Sequence, residues 1–126
     1  MGLDMFANHT KFKPESQVDF QVPEELENEE FQYWRKHPNL HGWMEDLYRK
    51  KGGSEEFFNC VNVQLTEEDL NNLEKTIKDN ELPGTMGFFF GESSGDEEEV
   101  NEDLAFIENA KRLIQEGNTV YYNSWW

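Results

Sequence analysis

Basic residues are scarce in this chain of 126 residues: 11 Lys and Arg stand against 27 Asp and Glu, a formal net charge of −16. That balance argues against a nucleic-acid partner, because counterion release needs a basic stripe to neutralise phosphates. It equally disfavours docking on anionic lipid. Cysteine is nearly missing as well. Cys60 is the single thiol, so no internal disulfide can form, which suits a reducing cytoplasm. Long apolar runs are lacking too. None approaches the ~18 residues of a membrane span, and no charged-then-apolar leader opens the sequence. A soluble cytoplasmic protein without a membrane partner is expected.

So acidic a chain raises the question of disorder, and the apolar content answers it. Leu, Ile, Val and Phe together number 29, and Phe, Tyr and Trp number 18. Disordered chains lack that aromatic content. The length is that of one ordinary domain, able to bury roughly two thirds of its unfolded surface. An aromatic core inside an acidic shell is expected, with residues 1–126 forming one globular unit.

Periodicity supplies the elements. Residues 1–7 alternate weakly and read as a short first strand. Residues 8–29 carry Pro14, Pro23 and a run of glutamates and read as loop, apart from a candidate edge strand at Val18–Val22. Residues 30–50 read as the first helical region. Leu40, Trp43, Met44, Leu47 and Tyr48 form its stripe, and Pro38 imposes a kink or a break. Phe57–Leu65 reads as a strand. Thr66-Glu-Glu-Asp69 is a capping box opening a helix that buries Leu70, Leu73 and Ile77. A short apolar strand is expected around Phe88–Phe90, an acidic loop over 92–101, and then a helix burying Leu104, Phe106, Ile107, Ala110, Leu113 and Ile114. Gly117 is its expected cap, and residues 119–126 form the last strand. The implied architecture is α+β: about four mostly antiparallel strands with three main helices packed on them.

Chemistry is thinly signalled. Trp34, Arg35, Lys36, His37, His41 and Trp43 make the one local cationic and aromatic patch, which could hold an anionic or aromatic ligand by forked hydrogen bonds and stacking. The plainer reading makes the indoles core and sends Arg35 and Lys36 past them to solvent. His37 and His41 stand at metal-ligand spacing, with Glu45 one turn further. The rise from 37 to 45 is roughly 12 Å, Pro38 spoils the geometry, and the HExxH glutamate is missing. Neither a metal nor a cofactor is expected. Cys60 has no neighbouring cation to make a thiolate and reads as a small buried hydrophobe. The acids of 92–103 lack the EF-hand spacing. Gly84, Gly87, Gly91 and Gly95 match neither phosphate-binding glycine motif.

Four ordered segments resemble a family of small proteins common in tailed phages and prophage-carrying bacteria. They are Gly2-Leu-Asp-Met5, Tyr33-Trp-Arg-Lys36 with Leu40-His41 and Trp43, Gly87-Phe-Phe-Phe-Gly91, and Tyr122-Asn-Ser-Trp125-Trp126. Asn59-Cys60 ahead of the Thr66 helix start fits the same pattern. Two features depart from it: His37-Pro38 within the first helical region, and the doubled tryptophan at the close. Members are often labelled phosphoglycerate kinase. This chain is several-fold too short for that two-domain enzyme and has no recognisable nucleotide site. The resemblance implies a phage-type accessory protein.

The residues matching those motifs, with the neighbouring indoles, give the candidate ligand-binding set: Asp4, Trp34, Arg35, Lys36, His41, Trp43, Cys60, Phe89 and Tyr122. Their convergence at one edge pocket is the expectation. A non-enzymatic protein binding a small anionic or nucleotide-like ligand ranks first. An acidic module acting on a host protein, by DNA mimicry or by inhibiting a basic partner, ranks second. A small hydrolase or transferase with His41 as base ranks third and requires His41 to lie beside Cys60, Asp4 or Tyr122. Trp125-Trp126 is either an apolar edge for homodimer formation or a segment folded back into the core.

Overall fold

Alternation builds the centre of the sheet. In the computed structural model, which describes residues 2–84 and 95–126, strand β1 (Asp4–Thr10) buries Met5 and Ala7 completely and leaves Asp4 and Phe6 partly open. It lies between β2 (Asn28–Arg35) and β4 (Thr119–Trp125), and β3 (Val63–Leu65) pairs with the other edge of β4. Every pairing is antiparallel, in the order β2-β1-β4-β3. Among the described residues there are three helices, α1 (Pro38–Lys50), α2 (Glu67–Lys78) and α3 (Glu97–Gln115). The protein is a single small α+β domain.

The largest departure from the sequence reading lies at residues 28–36. Trp34 and Arg35 belong to β2, and Lys36 is a turn residue in the left-handed region at φ 57°, so none of the three is helical. Trp34 and Gln32 alternate with Tyr33 and Arg35, a two-residue period that outweighs the helical stripe beginning at Leu40. Pro38 neither kinks nor breaks a helix. It is the first helical residue, where its missing N–H costs nothing and its fixed φ favours the turn.

Other bounds shift for local reasons. Only Val63–Leu65 of the 57–65 segment is strand, because Cys60 turns through φ 60° and gives its N–H to the Ser124 carbonyl at 2.8 Å. The edge strand expected at Val18–Val22 reduces to one bridge between Val18 and Val63. The loop expected at 8–29 narrows to 11–27. Within 92–101 the described part is largely helix: Asp96 caps α3 by accepting from the Glu99 N–H at 2.9 Å. Glu97, Glu98 and Glu99 then sit where the helix dipole favours negative charge. The strand expected around Phe88–Phe90 falls outside the described residues, so the expected four strands are met by a different set.

The capping box forms as read: Thr66 Oγ1 accepts from the Asp69 N–H at 3.2 Å, and Asp69 Oδ2 accepts from the Thr66 N–H at 2.9 Å. Lys51, just beyond α1, donates to the Gln64 carbonyl at 2.6 Å and also bonds Asp69, tying α1, β3 and α2 together. Gly117 follows α3 with φ 94°, the left-handed stop that glycine adopts without strain. The three helices bury Leu40, Met44, Tyr48, Leu70, Leu73, Ile77, Phe106, Ile107 and Ala110 against Met5, Ala7, Val63, Leu65, Val120 and Tyr122. Of the last helix's expected core residues, Leu104 and Ile114 are only partly buried.

The opposite face of the sheet is covered in part. Residues 17–20 run beside β3, with the Gln64 N–H donating to the Gln17 carbonyl at 2.7 Å and Asn62 Nδ2 to the Phe20 carbonyl at 2.8 Å. Phe20 packs edge-on against Tyr121, ring centroids 5.3 Å apart. Past this cover, the β2–β1–β4 portion of the face stays open around Asp4, Tyr33 and Trp125.

Candidate functional site

Strand register assembles the open-face group. Asp4 of β1 stands opposite Arg35 on β2 and opposite Trp125 on β4, and Phe6 stands opposite Tyr33 and Asn123. The Tyr33 hydroxyl donates to Asp4 Oδ1 at 2.6 Å, and Arg35 Nη1 lies 3.6 Å from the same oxygen. That bond to Asp4 raises the Tyr33 hydroxyl above the usual tyrosine pKa. The Phe6 and Tyr33 rings are 5.5 Å apart. Trp125 is 67% exposed and Tyr33 44%, unusual for such large side chains. A cleft of about 390 Å³ lined by Gly2, Asp4, Trp125 and Trp126 adjoins them. Asp4 offsets the Arg35 charge, so this surface offers aromatic area and a carboxylate before it offers a cation.

A second pair lies on the helix side. His41 Nδ1 and the Tyr122 hydroxyl oxygen share a hydrogen bond of 2.7 Å between α1 and β4. Tyr122 is 0% exposed and His41 1%. The Phe58 ring packs against both, at centroid distances of 4.9 and 5.9 Å. Burial pushes the His41 pKa down to about 4 and holds the Tyr122 phenol well above its ordinary value. Near neutral pH both are therefore uncharged. This contact is the one the His41 enzyme reading required, but an imidazole held near 4 is a weak base at pH 7.

The other candidates are dispersed. Trp34 is buried and its indole N–H donates to Asp103 Oδ1 at 3.2 Å, while Arg35 and Lys36 reach solvent. Trp43 is half-buried in a groove between α1 and α2. Cys60 is exposed, correcting its expected burial, since the left-handed turn lifts it out of the strand. Phe89 lies outside the described residues. Two sets are brought together, Asp4 with Arg35 and His41 with Tyr122, on opposite sides of the sheet; the described residues do not form one shared pocket.

His37 and His41 do not face a common point either. His37, the residue before Pro38, turns to α3, where its Nε2 lies 2.8 Å from Asp103 Oδ2 and 3.7 Å from Glu99 Oε1. Sequence spacing suggested only the partner four residues away, because no local pattern reveals a contact across 66 positions. Tyr33 was equally hidden while residues 30–36 read as helix; as part of a strand it would have been an outward-facing neighbour of Arg35.

Comparison of the chain with family models, with curated proteins and with solved structures gives no match. No described helix is long and apolar enough to cross a membrane.

Proposed function

We propose that this protein is a small acidic binding module without catalytic activity, which docks a basic protein segment on the open face of its sheet. The observation that carries the reading is Trp125, 67% exposed beside the Asp4 carboxylate on a sheet face that also exposes Tyr33. Exposed aromatics on a rigid sheet supply contact area at low entropic cost, and indole faces accept Lys or Arg side chains. The net charge of −16 would steer such a cationic partner toward the molecule. The phage-family resemblance makes an accessory role in the host cytoplasm the setting, with a host protein as the partner.

The ranking thus moves from a small anionic ligand to a protein. Arg35 and Lys36 are the cations such an anion would need. Arg35 is already paired with Asp4, and the cleft beside it is lined by Asp96, Glu98, Glu99 and Glu102. Catalysis by His41 has less support: its partner Tyr122 is wholly buried, which leaves a substrate no approach from that side.

Titration with Lys/Arg-rich peptides, followed by tryptophan fluorescence, tests the reading. Binding should weaken steeply with salt, since exposed charges are screened within about 8 Å at physiological ionic strength. It should be lost in Trp125→Ala. Undiminished binding in that variant, or a melting-temperature rise with nucleotides but not with basic peptides, would return the small-ligand reading to first place.

A further inference from the structure

We propose that His37, Glu99 and Asp103 form a binding site for a first-row divalent transition-metal ion such as Zn²⁺, separate from the open sheet face. Two elements create the cluster. Pro38 starts α1 and leaves His37 at its N-cap position, where its side chain makes no capping bond. Asp103 and Glu99 stand four residues apart on α3, hence on one helix face. The three donor atoms lie within 4.8 Å of one another.

The spacing suits an ion. Metal–ligand bonds of about 2.0–2.1 Å place neighbouring donors roughly 3.0 Å apart in octahedral and roughly 3.4 Å apart in tetrahedral geometry. The observed 2.8 Å from His37 Nε2 to Asp103 and 3.7 Å to Glu99 bracket both values. Glu99 Oε1 also accepts from the Gly95 N–H at 3.0 Å, a bond that an ion would share or replace. The supporting contact is also present: the Trp34 indole N–H holds the other oxygen of Asp103 at 3.2 Å, the kind of outer bond that orients a ligating carboxylate.

Charge and access agree with this. His37 and Asp103 are 3% and 2% exposed, yet the cluster borders an open cleft of about 240 Å³. Asp96, Glu98 and Glu102 line the same cleft, with Arg35 the sole Lys or Arg among the described residues of its wall. A divalent ion placed there would offset part of the negative charge these carboxylates gather. One imidazole nitrogen with two carboxylate oxygens favours Zn²⁺, Mn²⁺, Fe²⁺ or Co²⁺ over Mg²⁺ and Ca²⁺, which prefer all-oxygen shells. Three protein ligands leave at least one position open toward the cleft for water or an exogenous donor.

The plain alternative is an ion pair between His37 and its two carboxylates that only ties α1 to α3. Metal titration of the chelator-treated full chain separates the two. The expected result is one Zn²⁺ per chain by calorimetry, a melting temperature that rises with Zn²⁺, and a visible Co²⁺ spectrum in the Co²⁺-loaded protein. Glu99→Gln should weaken Zn²⁺ binding at least tenfold with the circular dichroism unchanged, and His37→Gln should abolish the Co²⁺ spectrum. Glu99→Gln keeps the test valid if replacing buried His37 impairs folding, since it leaves the His37–Asp103 bond in place. Absence of binding at millimolar Zn²⁺ would overturn the proposal. So would binding that Glu99→Gln leaves unchanged, which would place the ion elsewhere on the acidic surface.

Discussion

Asn59 and Trp126 hold each other by reciprocal hydrogen bonds: Asn59 Nδ2 donates to the Trp126 carbonyl at 2.9 Å, and the Trp126 N–H donates to Asn59 Oδ1 at 3.0 Å. The Trp126 indole N–H adds a third bond, to the Phe58 carbonyl at 2.7 Å. The two adjacent tryptophans therefore part company. Trp126 is fastened to the 58–60 turn and packs on the core, while Trp125 projects into solvent. Asn59→Ala removes two of these bonds and should cost about 1–3 kcal/mol, at roughly 0.5–1.5 for each. Urea denaturation would read this as a lower midpoint at unchanged slope. A midpoint equal to wild type would mean that the indole bond alone secures the segment.

The buried His41–Tyr122 pair makes stability depend on pH. Unfolded, His41 takes up a proton near 6.5; folded, it does so only near 4. Its contribution is complete above pH 6.5 and is lost as pH falls from there toward 4. Across that window the unfolded chain binds more protons, and the loss amounts to roughly 3 kcal/mol. Denaturation measured at intervals between about pH 7 and 5 should show the decline, and His41→Gln should flatten it. Equal slopes for the two proteins would count against a neutral, buried imidazole.

Removing the other half of that contact is expected to be costly at neutral pH. Tyr122→Phe leaves a buried imidazole nitrogen without this partner, a loss of about 1–3 kcal/mol. The same denaturation assay at neutral pH reads it directly. A neutral result would show that the pair contributes packing alone.

Gly53 touches the ring of Tyr48, and a Cβ there would sit 2.3 Å from the nearest of its atoms. Tyr48 is fully buried and bonds Asp19 through its hydroxyl, so it has nowhere to retreat. Gly53→Ala should cost about 1–3 kcal/mol by overpacking. Gly84, where a Cβ would meet nothing within 4 Å among the described residues, serves as the matched control. Its substitution by Ala should change stability by less than about 0.5 kcal/mol.

The capping box at Thr66 offers a local test. Thr66→Ala removes the acceptor for the Asp69 N–H and should lower stability by about 1 kcal/mol. A loss several times larger would implicate the adjoining bond between Lys51 and Asp69.

What the sequence revealed and what it hid follow from the range of the forces involved. The capping box, the Leu70–Ile77 stripe, the Gly117 stop and the last strand rest on neighbours within a turn or two, and all were legible. Residues 28–36 were not. A strand of aromatics lies next to a helical stripe, and a helix starting at Pro38 looks the same in sequence as a helix broken there. Val61 and Val63 alternate as a strand should, yet nothing in their pattern announces the left-handed turn at Cys60. The site was harder still. Asp4 meets Arg35 through strand register, His41 meets Tyr122 across 81 positions, and His37 meets Asp103 across 66. Such contacts are products of the finished fold.

The turn that lifts Cys60 from its strand has a practical consequence. The thiol is exposed, and it shares a surface recess with Phe6, Asn123 and Trp125 on the open side of the sheet. As the sole cysteine, it accepts one fluorophore at one known position without further engineering. A dye placed there would sense any molecule settling over Trp125 as a change in emission, so the wild-type chain already carries its own reporter.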